Sequence, residues 1–247
     1  MLTEITGRVS GGENLSQDEM ARAIDLMMQG RCKDEEIGLL LMALRAKGET
    51  VDEVAGAAAA MRNHMTRIAS PHAEMVDTCG TGGSGRGTFN ISTATAIVTA
   101  AAGLPVAKHG NRAITSKTGS ADALAELGVD IQASVEQVEE NLAELGLCFC
   151  YAPLMHQAMK YVGPVRKKLG VRTIFNLLGP LCNPANACYQ LLGVGIPAIR
   201  PLLAGALERL GTRRSLVVSG EDGMDEISLA SKTNVTEVDA DGVTEFE

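Results

Sequence analysis

Residues 75–112 read MVDTCGTGGSGRGTFNISTATAIVTAAAGLPVAKHGNR, and the reading of this stretch decides the fold. Met75 and Val76 open a short apolar run that meets Gly80, Gly82, Gly83, Gly85 and Gly87, five glycines within eight residues. An Asn-Ile-Ser-Thr step at 90–93 then opens an alanine-rich helix, Ala94 to Ala102, closed by Gly103. A second strand, Leu104 to Ala107, delivers Lys108, His109, Asn111 and Arg112 to one edge. A strand, a glycine loop and a helix start in this order offer main-chain N–H groups without Cβ obstruction, the usual construction of a phosphate site.

Three phosphate chemistries compete for the loop. Gly80-Thr-Gly82-Gly-Ser-Gly85 matches the dinucleotide pattern G-x-G-x-x-G, but that motif expects a carboxylate about 20 residues on, to hold the ribose. Lys108 and His109 stand there instead. A P-loop requires Lys and then Ser or Thr after the last glycine, and Gly85 is followed by Arg86-Gly87. What remains is a highly charged phosphate ester, with Lys108 to Arg112 supplying counter-charge. The bland alternative, glycines that only make turns, fits the density of glycines and the hydroxyl-rich helix start less well.

The rest of the chain sets the frame. In 247 residues, 45% are hydrophobic, yet there is no Trp and aromatics are only 3%. An aliphatic core of that kind favours helices packed on a sheet over an all-β fold. The net charge of −8 speaks against a nucleic-acid partner, which normally shows as a basic face. No apolar run approaches the roughly 20 residues of a membrane span, and no signal pattern opens the chain. Cys32, Cys79, Cys148, Cys150, Cys182 and Cys188 fit neither zinc spacing nor a disulfide framework, so they read as free thiols of a cytoplasmic protein.

Residues 1–70 read as a small helical domain. Ser16-Gln-Asp-Glu19 and Thr50-Val-Asp-Glu53 are capping boxes, and Asp34 is placed to cap a helix over Ile37 to Ala46. The smooth stretch Ala55 to Ala60 suits close helix packing, within one chain or between two. Residues 71–247 read as a larger α/β domain. Strands at Leu147 to Tyr151, Tyr189 to Val194 and Ser215 to Val218 alternate with helices, and a further strand and turn occupy Val235 to Glu247. That alternation predicts a mostly parallel central sheet flanked by helices, with ligands at the carboxyl ends of the strands. Gly223-Met-Asp225-Glu226 follows one such strand. Neighbouring carboxylates on a loop are usually only solvated, but opposite a phosphate loop they suit Mg2+, which takes one or two carboxylates plus phosphate oxygens and water.

Four motifs in order, Asp77-x-x-Gly80-Thr-Gly-Gly, Phe89-Asn-Ile-Ser-Thr93, Lys108-His-Gly-Asn-Arg112 and Gly119-Ser-Ala-Asp122, resemble the anthranilate phosphoribosyltransferase family. That family is related in fold to the pyrimidine nucleoside phosphorylases. The resemblance implies transfer of the phosphoribosyl group of 5-phosphoribosyl 1-diphosphate to the amine of anthranilate, with release of diphosphate, in tryptophan biosynthesis. It implies that Gly80, Gly83 and Ser84 bind the diphosphate sugar from the loop, and Thr88, Asn90, Ile91, Ser92 and Thr93 from the helix start. Lys108, His109, Gly110, Asn111 and Arg112 would follow from the second strand, with Ser116 and Ser120 beyond it. Anthranilate would meet Gly80, Asn111, His156 and Arg166, although a single His after a strand is by itself more often structural.

Mg2+, two ions per subunit, would be held by Ser92, Asp225 and Glu226. The resemblance further implies a homodimer paired through the N-terminal helices. It also implies an α/β domain incomplete at its C-terminus, because family members usually continue further. No general acid or base is expected, since an aromatic amine is neutral at pH 7. Ser84 stands where the family usually has Asp, and Met159 where a Tyr is common. Two other readings are a nucleoside phosphorylase-like enzyme, whose Lys-His-Ser-Thr-Gly-Gly loop is not matched here, and a non-catalytic nucleic-acid-binding relative, which the acidic balance opposes.

Overall fold

The computed structural model describes residues 1–82, 87–113 and 118–247. They form two compact units, one of residues 1–66 with 156–182, the other of residues 67–155 with 183–247.

The first unit is helical: α1 (Leu2–Ser10), α2 (Gln17–Met28), α3 (Asp34–Lys47) and α4 (Val51–Asn63). Both capping boxes form as read. Asp34 does not cap; Lys33 is the N-cap of α3, and its N–H is taken by Glu36 at 3.0 Å. The second box has an additional role. Glu53 is fully buried, where a carboxylate must be paired, and it accepts from the Thr50 and Leu15 N–H groups and from Lys47 Nζ. One side chain thereby ties the start of α4 to the end of α3 and the approach to α2. The Ala55–Ala60 stretch is consumed inside the unit: a Cβ on Gly56 would overlap the Gln17 carbonyl. What faces outward instead is a stripe on α3, Leu39, Met42 and Ala46.

The second unit holds β1 (Val76–Gly80), α5 (Ile91–Ala101), β2 (Val106–Gly110), α6 (Ser120–Glu126), α7 (Val135–Leu145) and β3 (Leu147–Tyr151), followed by α8 (Ala152–Met155). The chain then enters the helical unit, contributing α9 (Gly163–Leu169) against α3 and α10 (Phe175–Leu178) against α4. It returns as β4 (Tyr189–Gly193), α11 (Arg200–Arg209), β5 (Arg214–Gly220), β6 (Thr233–Asp239) and β7 (Gly242–Phe246). The continuous α/β domain read from residue 71 is therefore interrupted: 156–182 packs with the helices, because its apolar faces find partners there.

The seven strands lie in the order β3-β2-β1-β4-β5-β6-β7. The first five are parallel, and β6 and β7 close the edge as an antiparallel hairpin where a single strand was expected. The core between α7 and the β2–β3 edge contains Val138, Leu142, Cys148 and Cys150, all buried. Truncating a side chain such as Leu142 to Ala costs about 2–5 kcal/mol in a site of this kind. Sequence reversal occurs between β1 and β4, and such a switch point leaves a crevice beyond the strand ends.

Candidate active site

Strand β2 runs three residues further than its apolar pattern indicates, to Gly110, so Lys108 and His109 lie inside the sheet, both buried. β1 and β2 pair at Val76 and Val106; past that step, side chains take over main-chain groups. Asp77 Oδ1 accepts the His109 N–H at 3.3 Å, Asn183 Nδ2 donates to the Ala107 carbonyl at 2.8 Å, and Lys108 Nζ donates to the Thr78 carbonyl at 2.5 Å. Lys108 Nζ also reaches Ser92 Oγ, at 3.1 Å, in the first turn of α5. Burial lowers the pKa of Lys108 against the charges of Asp77, Cys79 and Glu226, and raises that of Asp77 against the charge of Lys108.

The paired acids come to the same place from the other side. A Cβ on Gly193, at the end of β4, would overlap the Asp225 carbonyl oxygen, and one on Gly80 would stand 3.6 Å from Asp225 Oδ2. Glu226 accepts the Ser92 N–H and so occupies the N-terminal turn of α5, where negative charge is favoured. Burial and then the neighbouring Asp225 push the Glu226 pKa up to about 7, with Lys108 pulling the other way. The other N–H groups of that turn are partly used: Ile91 donates to the Phe89 carbonyl and Thr93 to the Asn90 carbonyl. The Thr81 N–H donates to the Gly193 carbonyl at 2.9 Å, which fixes the first step of the glycine loop to β4.

Beyond β2 the chain is folded around Asp122. Its carboxylate accepts from the Ala113 and Gly119 N–H groups at 2.8 and 2.9 Å and from Arg112 Nη1 at 2.8 Å. Those main-chain donors, more than Arg112, hold its pKa below the usual carboxylate range. Arg112 is thus paired, and the cationic cluster of the sequence reading resolves into one buried lysine, one buried histidine and one arginine engaged by Asp122. Asn111 Oδ1 accepts the Arg112 N–H, and Ser120 Oγ donates to the Asn111 carbonyl at 3.4 Å. Asn90 Nδ2 reaches Thr118 Oγ1 at 3.1 Å. Gly110 is required by packing, since a Cβ would overlap Ser120 Oγ. Thr88 is exposed, Ile91 is half-buried and Thr93 is buried. Gly83, Ser84 and Ser116 lie outside the described residues.

Of the four residues assigned to anthranilate, Gly80 and Asn111 belong to the α/β unit, and His156 and Arg166 to the helical unit. Burial pushes the His156 pKa down to about 4 despite its hydrogen bond to the Cys182 main chain, so the ring is neutral at pH 7. Arg166 stacks over the Phe175 ring at 5.5 Å and reaches Asn176 Oδ1 at 3.4 Å. Its burial lowers its pKa, and among the described residues no carboxylate pairs with it.

The sequence matches the family described as "Glycosyl transferase family, a/b domain" over residues 72–247, and its "helical bundle domain" over residues 3–65. It is 56% identical over 228 residues to the anthranilate phosphoribosyltransferase of Rhodopirellula baltica, covering 92% of this chain and 67% of that protein. Against the enzyme of the same name from Pelotomaculum thermopropionicum it is 50% identical, covering 96% and 69%. The chain belongs to the anthranilate phosphoribosyltransferase family. The crystal structure of the Thermus thermophilus family member superposes with a TM-score of 0.90 at 45% identity, over 98% of this chain and 72% of that one. The Saccharomyces cerevisiae member, solved in complex with PRPP and Mg, gives 0.88 at 29% identity, over 100% and 72%. Family membership sets aside the nucleoside phosphorylase and nucleic-acid-binding alternatives.

Within this anthranilate phosphoribosyltransferase fold, sequence reading did not single out Gly193 or Asp222, and it reads Asn183 only as part of the turn-and-hinge motif Arg172 to Pro184. Gly193 ends an apolar strand and looks like an ordinary turn glycine; only the approach of Asp225 reveals its function. Asn183 lies in Asn-Pro, a turn signal that hides its bond to β2. Asp222 had a signal in principle, since an Asp before Gly223-Met is positioned to bond main-chain groups two residues on.

Proposed function

We propose that this chain transfers the phosphoribosyl group of 5-phosphoribosyl 1-diphosphate to the amine of anthranilate, releasing diphosphate. The observation that carries the proposal is the convergence of Asp225, Glu226, Ser92 and Lys108 at the carboxyl ends of β1, β2 and β4. The S. cerevisiae relative in complex with PRPP and Mg, and another of its structures in complex with 4-fluoroanthranilate, support both substrates and the use of magnesium.

Two adjoining carboxylates, one with its pKa raised to about 7 by burial and by its neighbour, form a donor set that fits a hard cation. Among the described residues no three His, Cys, Asp or Glu side chains cluster as a self-sufficient metal site. Asp225, Glu226 and the Ser92 hydroxyl suit Mg2+ completed by substrate phosphates, and the family resemblance is the ground for proposing two ions per subunit. When bound, Mg2+ neutralises charge developing on the departing diphosphate.

The chain's own groups do the rest. Lys108 adds a fixed positive charge beside Ser92, in a buried setting where charge acts strongly. The Gly80–Ser84 loop, the α5 start and the 108–120 segment contribute main-chain and side-chain donors to the diphosphate sugar. Diphosphate departure leaves oxocarbenium character at the anomeric carbon, which needs an aligned nucleophile more than a strong base. The anthranilate amine is neutral at pH 7, and His156, also neutral, contributes shape and a hydrogen-bonding nitrogen rather than charge. Arg166 is a guanidinium that pairs with no carboxylate among the described residues, and a planar aromatic carboxylate is its natural complement.

A homodimer is part of the proposal, paired through the outward stripe of α3 at Leu39 and Met42, which are 63% and 40% exposed. A cytoplasmic location is supported by six free thiols; no helix among the described residues is long and apolar enough to cross a membrane. The test is loss of anthranilate fluorescence with the diphosphate sugar, with and without Mg2+. Activity that requires Mg2+ and is lost in Asp225→Asn is expected; Mg2+-independent turnover, or none under any condition, refutes the reading.

A further inference from the structure

We infer that Asp222 is the positioning residue of the Asp225–Glu226 pair, holding both arms of the loop that carries it. This rests on the reading of the pair as the magnesium–diphosphate site.

The loop joins β5, which ends at Gly220, to β6, which begins at Thr233. A connection this long has many conformations, and two like charges at its middle repel each other, so something must hold it. Asp222 Oδ1 accepts the Met224 N–H at 3.1 Å, the donor directly before Asp225. Its Oδ2 accepts the Ser228 hydroxyl at 2.7 Å, two residues after Glu226. One carboxylate thus binds the loop on both sides of the acid pair.

The rest of the loop is built onto that clamp. Ser228 Oγ accepts from the Ala230 and Ser231 N–H groups at 3.0 and 3.1 Å, and the Ser228 N–H donates to Thr233 Oγ1 at 2.9 Å. Ser231 Oγ accepts the Asp222 N–H at 3.2 Å, which closes the ring of contacts. Main-chain bonds from Gly220 to the Met224 carbonyl and from Glu221 to the Lys232 carbonyl seal the base. Gly223 takes φ +83°, a turn that brings Met224 back over Asp222. Gly220 must be glycine for the clamp to form, because a Cβ there would overlap Asp222 Oδ1.

Asp222 is assigned a positioning role and not a metal-ligating one. Its two oxygens accept from the Met224 N–H and the Ser228 hydroxyl, and its effect reaches the site through the backbone of residues 224–228. Groups that orient ligands in this way change metal affinity by about 10–100-fold when removed.

The experiment compares Asp222→Ala, Asp222→Asn, Ser228→Ala and Asp225→Asn in the full chain. Mn2+ binding in the presence of 5-phosphoribosyl 1-diphosphate is followed by electron paramagnetic resonance, and Mg2+ dependence by anthranilate fluorescence. Asp222→Ala is expected to weaken Mn2+ binding and raise half-saturating Mg2+ by about 10–100-fold. Saturating Mg2+ should restore most of kcat, with KM for anthranilate unchanged. Ser228→Ala and Asp222→Asn should fall between it and the parent, since each removes one of the two arms. They carry the test if Asp222→Ala does not fold.

Parent-like Mn2+ binding in the Asp222 and Ser228 variants, with binding lost in Asp225→Asn, overturns the inference and leaves the metal reading intact. Parent-like binding in Asp225→Asn as well overturns both. A loss of kcat that saturating Mg2+ does not restore also overturns the inference.

Discussion

Replacing Gly193 by Ala tests whether the acid pair is placed by the sheet itself. Gly193 pairs with Gly80 of β1 on one side and Val218 of β5 on the other, so β4 has little freedom to withdraw. A Cβ would overlap the Asp225 carbonyl oxygen and stand 2.8 Å from its carbonyl carbon. The carbonyl oxygen, 1.7 Å from that Cβ, must move out to at least 3.0 Å, so the Asp225 carbonyl must retreat by more than about 1 Å. The obstacle is main chain rather than the tip of a flexible side chain, and its displacement carries Asp225 and Glu226 with it. A misplacement of about 1 Å at reacting groups costs on the order of 100-fold in rate. Gly193→Ala should therefore lower kcat/KM by about that factor in the fluorescence assay and raise the Mg2+ requirement. The urea unfolding transition should remain cooperative, because the clash lies at the end of the strand and not in the aliphatic core. Activity within about threefold of the parent, at the parent's Mg2+ half-saturation, would refute the reasoning that the strand end fixes the pair.

Removal of the Arg166 guanidinium by Arg166→Ala should raise KM for anthranilate by about 10–100-fold, the range of a charged hydrogen bond, while KM for the diphosphate sugar stays put. Equal rises in both would remove Arg166 as the carboxylate partner. His156 makes stability depend on pH. Its folded pKa of about 4 lies below the ordinary 6.5, so the unfolded chain binds the extra proton first. The contribution is complete above pH 6.5 and is lost as pH falls towards 4; 2.5 units at 1.36 kcal/mol each give about 3 kcal/mol. Urea titrations at pH 7 and pH 5 should show the decline, and His156→Gln should flatten it; an unflattened profile would assign the acid sensitivity elsewhere. For the α3 stripe, light scattering should give twice the 25.9 kDa chain mass, falling to one chain in the double variant Leu39→Glu, Met42→Glu. A monomeric parent would refute the pairing.

The elements that local chemistry determines were legible in the sequence. Ser16–Glu19, Thr50–Glu53 and the Ser134 cap of α7 each satisfy main-chain donors with a side chain a few residues away, and all three form. The strands at 147–151, 189–193 and 214–220 follow from apolar runs between turn signals. The destination of residues 156–182 was not legible, because α9 and α10 pack on α3 and α4, more than a hundred residues earlier. Nothing in a periodicity names a distant partner. The Ala55–Ala60 stretch was ambiguous for the same reason: smoothness invites a close neighbour without saying whose, and here Gln17 of the same unit takes the place.

Lys108 shows where the limit lies at the site itself. A lysine and a histidine after an apolar run read as residues past the end of a strand, since burying an ammonium costs several kcal/mol. The sheet accepts Lys108 because three separate segments meet its needs: the Thr78 carbonyl on β1, Ser92 Oγ on α5, and the charges of Asp77 and Glu226. Those partners converge only once β1, α5 and β2 have closed into a unit and the 220–232 loop has come back over the strand ends. The motif residues were therefore visible one at a time, as a loop, a helix start, a basic step and an acidic step. Their common purpose depended on an opened seam between β1 and β2 in which side chains replace ladder bonds. Along such a seam charge can be buried and aimed at a pyrophosphate, and an apolar strand pair with an intact ladder would have no room for it.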